Sequence, residues 1–329
     1  MTVTFFLHGE PDLARLEGLD PDRDPGEFRT GERAWVVQTY LRLRAAGHPV
    51  ALASAWPREG ILVFSSKQRG VLRPLVRTAD PVVLVACRED VGEAEIADFE
   101  VVQNGFSVDR ETSFFVPLWP QPGLVPRDPD RVGRIRSAAF KGFATNLHPA
   151  FASPEWANAL AVRGIEWIAD AAAYSGPQRA AEATGWESYR DIDLVVAVRP
   201  PDKKLHARKP ATKLYNAWLA GVPAILGPEQ AYRELRRSDL DYLEVKNVPE
   251  ALAAVDRLIR EPALYAAMVE NGKRRAEEFT IEAIRKRWVD LLYRAIPAMS
   301  ANPRVSFWRG KPVGLKVAAR RVARALGRR

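Results

Sequence analysis

Cysteine is nearly absent from this chain. Cys87 stands alone among 329 residues, which excludes an intrachain disulfide and a zinc site built on cysteine. The four histidines, His8, His48, His148 and His206, are scattered without the spacing of metal ligands. No run approaches the roughly 20 apolar residues of a membrane-spanning helix. The apolar start, Val3–Leu7, is too short for a secretory leader and lacks a basic lead-in. These shortages point to a cytoplasmic protein that holds no metal. Acid is missing too, but only locally. Residues 300–329 carry nine Lys and Arg and neither Asp nor Glu. Without them the chain has 40 basic against 41 acidic residues. The net charge of +8 therefore belongs to the tail, and a nucleic-acid-binding body loses its main support.

Proline and apolar runs divide what remains. Apolar segments at Val3–Leu7, Val50–Ala53, Ile61–Phe64, Val82–Ala86 and Phe99–Gln103 read as strands, with a helix over Ala34–Ala46. Phe115–Arg131 then holds five prolines in seventeen residues, the composition of a semi-rigid connector. A second α/β series follows. Strands are expected at Ala138–Phe143, Ala172–Tyr174, Asp193–Val198 and Tyr242–Val245. Helices are expected at Pro154–Asp170, Pro249–Arg260, Pro262–Phe279 and Ile281–Ala295. The expected domains are 1–130, 131–298 and a tail, 299–329.

The densest segment is Lys209–Glu229, KPATKLYNAWLAGVPAILGPE. Lys209 and Lys213 bracket a helix start, where unpaired N–H groups and the helix dipole favour an anion. Thr212 is placed to cap that helix or touch the anion. Leu214, Ala217, Trp218, Ala220 and Gly221 form its packing face. Gly221 ends the helix, Pro223 keeps it ended, and Ala224–Leu226 reads as a buried strand.

The run Asn216-Ala217-Trp218-Leu219-Ala220-Gly221-Val222-Pro223-Ala224-Ile225 resembles the nucleotide-sugar-binding segment of GT-B glycosyltransferases, the group 1 (family-4-like) enzymes in particular. TKLYNAWLAGVP is also similar to the donor site of fucosyltransferases. The resemblance implies an α/β chain of two Rossmann-like domains, to which the composition adds a C-terminal basic amphipathic helix. It implies transfer of a sugar from a nucleoside-diphosphate sugar to a hydroxyl on a glycan or lipid-linked acceptor, in envelope polysaccharide or glycolipid assembly. The sugar nucleotide is a co-substrate, and no cofactor or metal is expected. Arg208 and Asn216 stand where the large retaining family has two glutamates.

Several residues are candidates for this chemistry. Lys141, Arg199, Arg208, Lys209 and Lys213 supply cations for a diphosphate whose charge grows as the sugar bond breaks. Arg199 follows a buried strand, where open α/β sheets bind ligands, and Asn216 is placed for the ribose. In the first half, His8, Glu10 and Asp12 are candidate bases after the first strand. Gly31, Glu32, Arg88 and Asp90 are candidates for the acceptor side of a cleft. In the tail, Leu315, Ala318, Ala319, Val322 and Leu326 share one helical face, and Lys316, Arg320, Arg324 and Arg328 fall mainly on the other. With Phe307 and Trp308 ahead of it, this helix suits the anionic inner face of the cytoplasmic membrane. Two other readings share the two-domain plan: a sugar-nucleotide 2-epimerase, and a degenerate protein that binds a nucleotide sugar without turnover.

Overall fold

The computed structural model describes residues 2–77, 81–89, 92–108, 111–131, 133–172, 185–200, 209–309 and 311–325. Arg208, Asp90, His206 and Leu326 lie outside them, as do Arg328 and most of the expected strand Ala172–Tyr174. The chain forms two compact units. Unit 1 comprises 1–21, 28–118 and 284–329, and unit 2 comprises 22–27 and 119–283. Contact therefore groups the last helices with the first sheet, and places 119–131 of the proline-rich segment with the second.

Unit 1 is built on a six-stranded, wholly parallel sheet in the order β2-β1-β3-β4-β5-β6. Its strands are β1 (Val3–Phe6), β2 (Val50–Ala53), β3 (Gly60–Ser65), β4 (Val82–Arg88), β5 (Phe99–Val102) and β6 (Ser113–Phe115). β1, β3 and β5 are buried along their whole length and β4 along all but its last residue. This is why they read as continuous apolar runs and not as alternating ones. The helix expected at Ala34–Ala46 starts as one wide π-type stretch, Arg33–Val37, and continues as an α-helix over Gln38–Ala45. Trp35 from this stretch meets Trp288 edge-on, with ring centroids 6.5 Å apart, fastening Ile281–Asp290 to the unit.

Unit 2 has five parallel strands in the order β11-β10-β9-β7-β8. They are β7 (Ser137–Phe143), β8 (Glu166–Ala172), β9 (Leu194–Ala197), β10 (Ala224–Leu226) and β11 (Leu243–Glu244). One expectation fails here. The helix capped by Ser153 stops at Ala161, and Glu166–Ala172 is a strand and not the helix's second half. The chain turns at Gly164 with φ +71°. Beyond it, Trp167 and Ile168 belong to a strand paired residue for residue with β7. Both sheets reverse their strand order once, between β1 and β3 and between β7 and β9. At such a switch point a crevice opens at the strands' carboxyl ends.

Asp193 holds unit 2 together at the amino ends of its strands. Its side chain is fully buried. It accepts hydrogen bonds from Arg127 (Nη2 at 2.8 Å), Arg131 (Nη2 at 2.7 Å) and the N–H groups of Arg136 (2.8 Å) and Ser137 (3.1 Å). The proline-rich segment is thereby tied into the domain that follows it.

Candidate functional site

The carboxyl edge of the second sheet collects the cations. Helix Thr212–Ala220 begins there, with Leu214, Tyr215, Ala217 and Trp218 buried against the sheet, and Gly221 closes it in the left-handed region at φ +69°. Thr212 is the first helical residue. Ala211 holds the cap position, and no side chain caps the helix, so the expected Thr212 cap is not formed. Lys213 reaches across the switch point, with Nζ 5.1 Å from the centroid of the Phe140 ring on β7. Space for it comes from Gly142: a Cβ at that position would lie 2.8 Å from Lys213 Nζ. Among the described residues no carboxylate is within ion-pair distance of this ammonium. Burial, reinforced by the positive charge of Arg199, lowers its pKa to about 7.

Arg199, just beyond β9, is buried and faces Glu229, which follows β10, with Nε 3.1 Å from Oε2. Tyr232 adjoins them, fully buried, and its phenol is pushed up by burial and then by the Glu229 charge. Burial also raises the Glu229 carboxyl against the pull of Arg199 and Lys213. Among the described residues, no group stands in hydrogen-bonding geometry to the buried Arg199 Nη1, Glu229 Oε1 or Tyr232 hydroxyl. Leaving such groups unpaired costs about 1–3 kcal/mol each. Their concentration at a switch point, beside a lysine of lowered pKa, has the character of a binding site rather than a structural core.

The remaining unit 2 candidates divide. Lys209 is part-buried and adds to the field at Lys213. Lys141 does not join this group. Neighbouring strand residues point to opposite faces, so Lys141 turns away from the face that Phe140 presents to Lys213. It pairs with Asp170 of β8 at 3.3 Å, donates to the Gly185 carbonyl at 2.6 Å, and lies over the Tyr189 ring. Asn216 is also engaged: its Oδ1 accepts the Gln121 N–H at 3.0 Å, which anchors the proline-rich segment. Tyr215 stacks on Phe279 at 4.8 Å as part of the core. Glu229 and Tyr232 complete the cluster. The sequence reading assigns Glu229 no role, although it follows a buried strand just as Arg199 does. A cavity of about 650 Å³, lined by Ile135, Gly221, Leu258, Tyr265 and others, lies at the opposite edge, near the strands' amino ends, and takes in none of these groups.

Unit 1 gathers acids at its own switch point. Glu89, directly after β4, is buried; its Oε1 accepts from Ser65 Oγ at 2.5 Å, and its Oε2 lies 2.8 Å from Lys67 Nζ. Glu32 accepts from the Gln68 amide, and burial followed by the Glu89 charge raises its pKa. Gly31 allows the close approach of Glu89. A Cβ there would fall 1.9 Å from Glu89 Oε2 and 2.7 Å from its carboxyl carbon. Glu89 is thus a second residue that sequence reasoning passed over, in favour of its neighbours. Arg88 points to Glu100 on β5, 3.6 Å away. Asp12 is a helix cap, with Oδ1 accepting the Arg15 N–H at 2.9 Å. Glu10 pairs with Arg33 at 3.4 Å. His8 is exposed, with its own N–H donated to Gln68.

Gly31→Ala is expected to force Glu89 off its bonds to Ser65 and Lys67 and to destabilise unit 1 by about 1–3 kcal/mol. Gly70→Ala, where an added Cβ meets nothing within 4 Å, serves as the control and should be neutral or slightly stabilising. Urea unfolding of the two variants checks this, and equal midpoints would mean that Glu89 yields freely.

No family model and no curated protein sequence matches the chain. Solved structures do. The chain is similar to sucrose-phosphate synthase from Thermosynechococcus elongatus at 14% identity and a TM-score of 0.60, over 91% of this chain and 100% of that one. It is similar to Anabaena HepE in complex with UDP-glucose at 14% identity and a TM-score of 0.56, over 89% and 99%. For the pneumococcal O-GlcNAc transferase GtfA in complex with UDP and GlcNAc the values are 11% and 0.51, over 79% of this chain and 60% of that longer one. TarM is also longer, and this chain spans 54% of it. At these identities the likeness concerns architecture: the chain has the GT-B fold of two Rossmann-like domains.

Proposed function

We propose that the chain is a glycosyltransferase that takes a nucleoside-diphosphate sugar as donor. The observation that carries this reading is the cluster of Lys213, Arg199, Glu229 and Tyr232 at the switch point of the second sheet, with buried polar atoms left unpaired. A diphosphate supplies the counter-charge that Lys213 lacks and a second anion for Arg199 beside Glu229, and the start of helix Thr212–Ala220 supplies N–H donors. Charge developing on the leaving diphosphate is then stabilised by Lys213 and Arg199, in the role a metal ion plays elsewhere. Lys209 adds to the same field. Glu229, buried and held by Arg199, would serve the donor hydroxyls beside Asn216, whose Oδ1 is taken by the Gln121 N–H. HepE, one of the structural neighbours, was solved with UDP-glucose, which supports a sugar nucleotide as the ligand class here.

In this reading Glu32 of unit 1 serves the acceptor hydroxyl, since burial and the neighbouring Glu89 charge raise its pKa and a carboxyl of raised pKa suits proton transfer near neutrality. The acceptor is a glycan or lipid-linked sugar of envelope assembly, met at the cytoplasmic face of the membrane. A second reading, a nucleotide-sugar binder without turnover, is favoured by one observation. Asn216, at a position where the large retaining family has a glutamate, is tied to the Gln121 backbone.

Incubation with a panel of nucleotide sugars decides between the two. Transfer, or slow hydrolysis of one donor, is the expected result. Interconversion of the sugar would mark an epimerase, and binding without turnover in the presence of varied hydroxyl acceptors would favour the silent binder.

A further inference from the structure

The basic tail is attached the opposite way round from the amphipathic rule. Helices Pro303–Arg309 and Val313–Ala325 belong to unit 1. In the second of them, Val313, Lys316, Val317 and Arg320 face the unit, at the i, i+3, i+4, i+7 spacing of one helical face. Val317 is buried in the cluster of Phe6, Leu62, Phe64 and Leu84, with Val313 packed at its edge. Lys316 Nζ is 3.3 Å from Asp98 Oδ1, and Arg309 Nε is 3.7 Å from Asp98 Oδ2. Arg320 Nη1 donates to the Glu95 carbonyl at 2.5 Å.

The face that sequence marks as apolar is turned outward instead. Leu315 is 51% and Val322 59% exposed, and on the preceding helix Phe307 is 57% and Trp308 41% exposed. Lysine and arginine that would ordinarily point into water are used for internal attachment, and the leucine-valine face is left unpartnered among the described residues. Lys311 lies 4.0 Å from the Phe307 ring centroid, and Arg321 is exposed beside Val322.

We propose that this outward face seats unit 1 on an anionic lipid bilayer. Four large apolar side chains on two anchored helices supply the surface to be buried, and an aromatic pair is suited to the headgroup level. The rim is cationic, and residues 300–329 contain no acid, so its charge complements phosphate headgroups. Among the described residues no helix is long and apolar enough to cross a membrane, so the contact is peripheral. This inference stands apart from the transferase reading, because its readout is lipid binding alone.

The test is sedimentation of the full chain with vesicles of phosphatidylcholine containing phosphatidylglycerol, against phosphatidylcholine alone. The chain is expected to pellet with the anionic vesicles only, and less as salt rises. In Leu315→Asp/Val322→Asp, binding should fall about tenfold or more. Both positions are exposed, so the melting temperature should hold. A wild-type chain that stays in solution at low salt overturns the proposal, and so does a double variant that pellets equally. Binding only to an acidic protein would assign the face to a protein partner and also overturn it.

Discussion

Replacing Lys213 with methionine should abolish stabilisation of the protein by nucleoside diphosphates while making the free protein more stable. The two effects share one cause. Lys213 occupies a position that disfavours its charge, so its pKa falls from an ordinary 10.5 to about 7. The unfolded chain holds this proton up to about pH 10.5 and the folded chain releases it near 7. Between these values the unfolded state binds more protons, so stability rises with pH across the window, and below pH 7 the full penalty applies. Methionine removes the penalty, and the free protein should gain about 1–2 kcal/mol at pH 6–7.

Binding moves the other way. The diphosphate pairs with the protonated form, so losing that partner should cost about 2–5 kcal/mol, roughly 30-fold to several thousand-fold in Kd. For the wild type, affinity should weaken above pH 7 by up to about tenfold per pH unit, because binding must then take up a proton. In Lys213→Met the profile should flatten over this range. Thermal shift against UDP and GDP from pH 6 to 9, for both proteins, measures all of this. A nucleotide-induced shift of equal size in the variant would place the diphosphate elsewhere.

The second large effect is structural. Asp193→Asn keeps the size of a side chain that neutralises two guanidinium groups and accepts two backbone N–H bonds. Its amide nitrogen would face donors, Arg127 would lose its counter-charge and Arg131 would keep only the exposed Asp191 at 3.5 Å, so unit 2 should lose about 3–5 kcal/mol. Burial alone would raise the Asp193 carboxyl; hydrogen bonds from Arg131, the Arg136 N–H and Arg127 outweigh it and bring the pKa below the ordinary 3.8. The stabilisation is therefore present above the ordinary aspartate range and lost as pH falls through the folded value. Wild-type unit 2 should weaken on acidification, and Asp193→Asn should show a shallower acid dependence. Hydrogen exchange of the β7 and β9 amides at several pH values tests this. Identical acid profiles would show that Asp193 is not the controlling acid.

Most strands of both sheets were legible because parallel sheets covered on both faces demand continuous apolar runs; β6, three residues long and only partly buried, was not. β8 was not, because its run of Trp, Ile and Ala also fits a helix, and only pairing with β7 decides the matter. For the site, the strand-end rule found Arg199 and the helix-start rule found Lys213. Glu229 obeys the same strand-end rule but was hidden by its resemblance to an ordinary turn acid. The pleat removed Lys141, since one position along a strand changes the face. The capping role of Asp12 was not legible, because the five-residue helix it caps was not expected. In the tail, the apolar stripe was legible, but the docking of the cationic stripe on unit 1 was not. A buried Asp98 inside unit 1 made the cationic stripe the better one to bury, and no property of the tail alone announces that partner.

The order in which the chain leaves the ribosome gives this arrangement a further meaning. Unit 2 draws only on residues 22–27 and 119–283, whereas unit 1 recruits 284–329 to cover a sheet begun at residue 3. Until Lys316 and Val317 arrive, Asp98 has no Lys316 counter-charge, and the patch around Leu62 and Leu84 lacks Val317. The usual amino-terminal-first sequence of co-translational folding should therefore be altered here: every residue of unit 2 has been made by residue 283, whereas the covering of unit 1's sheet waits for residues 284–329.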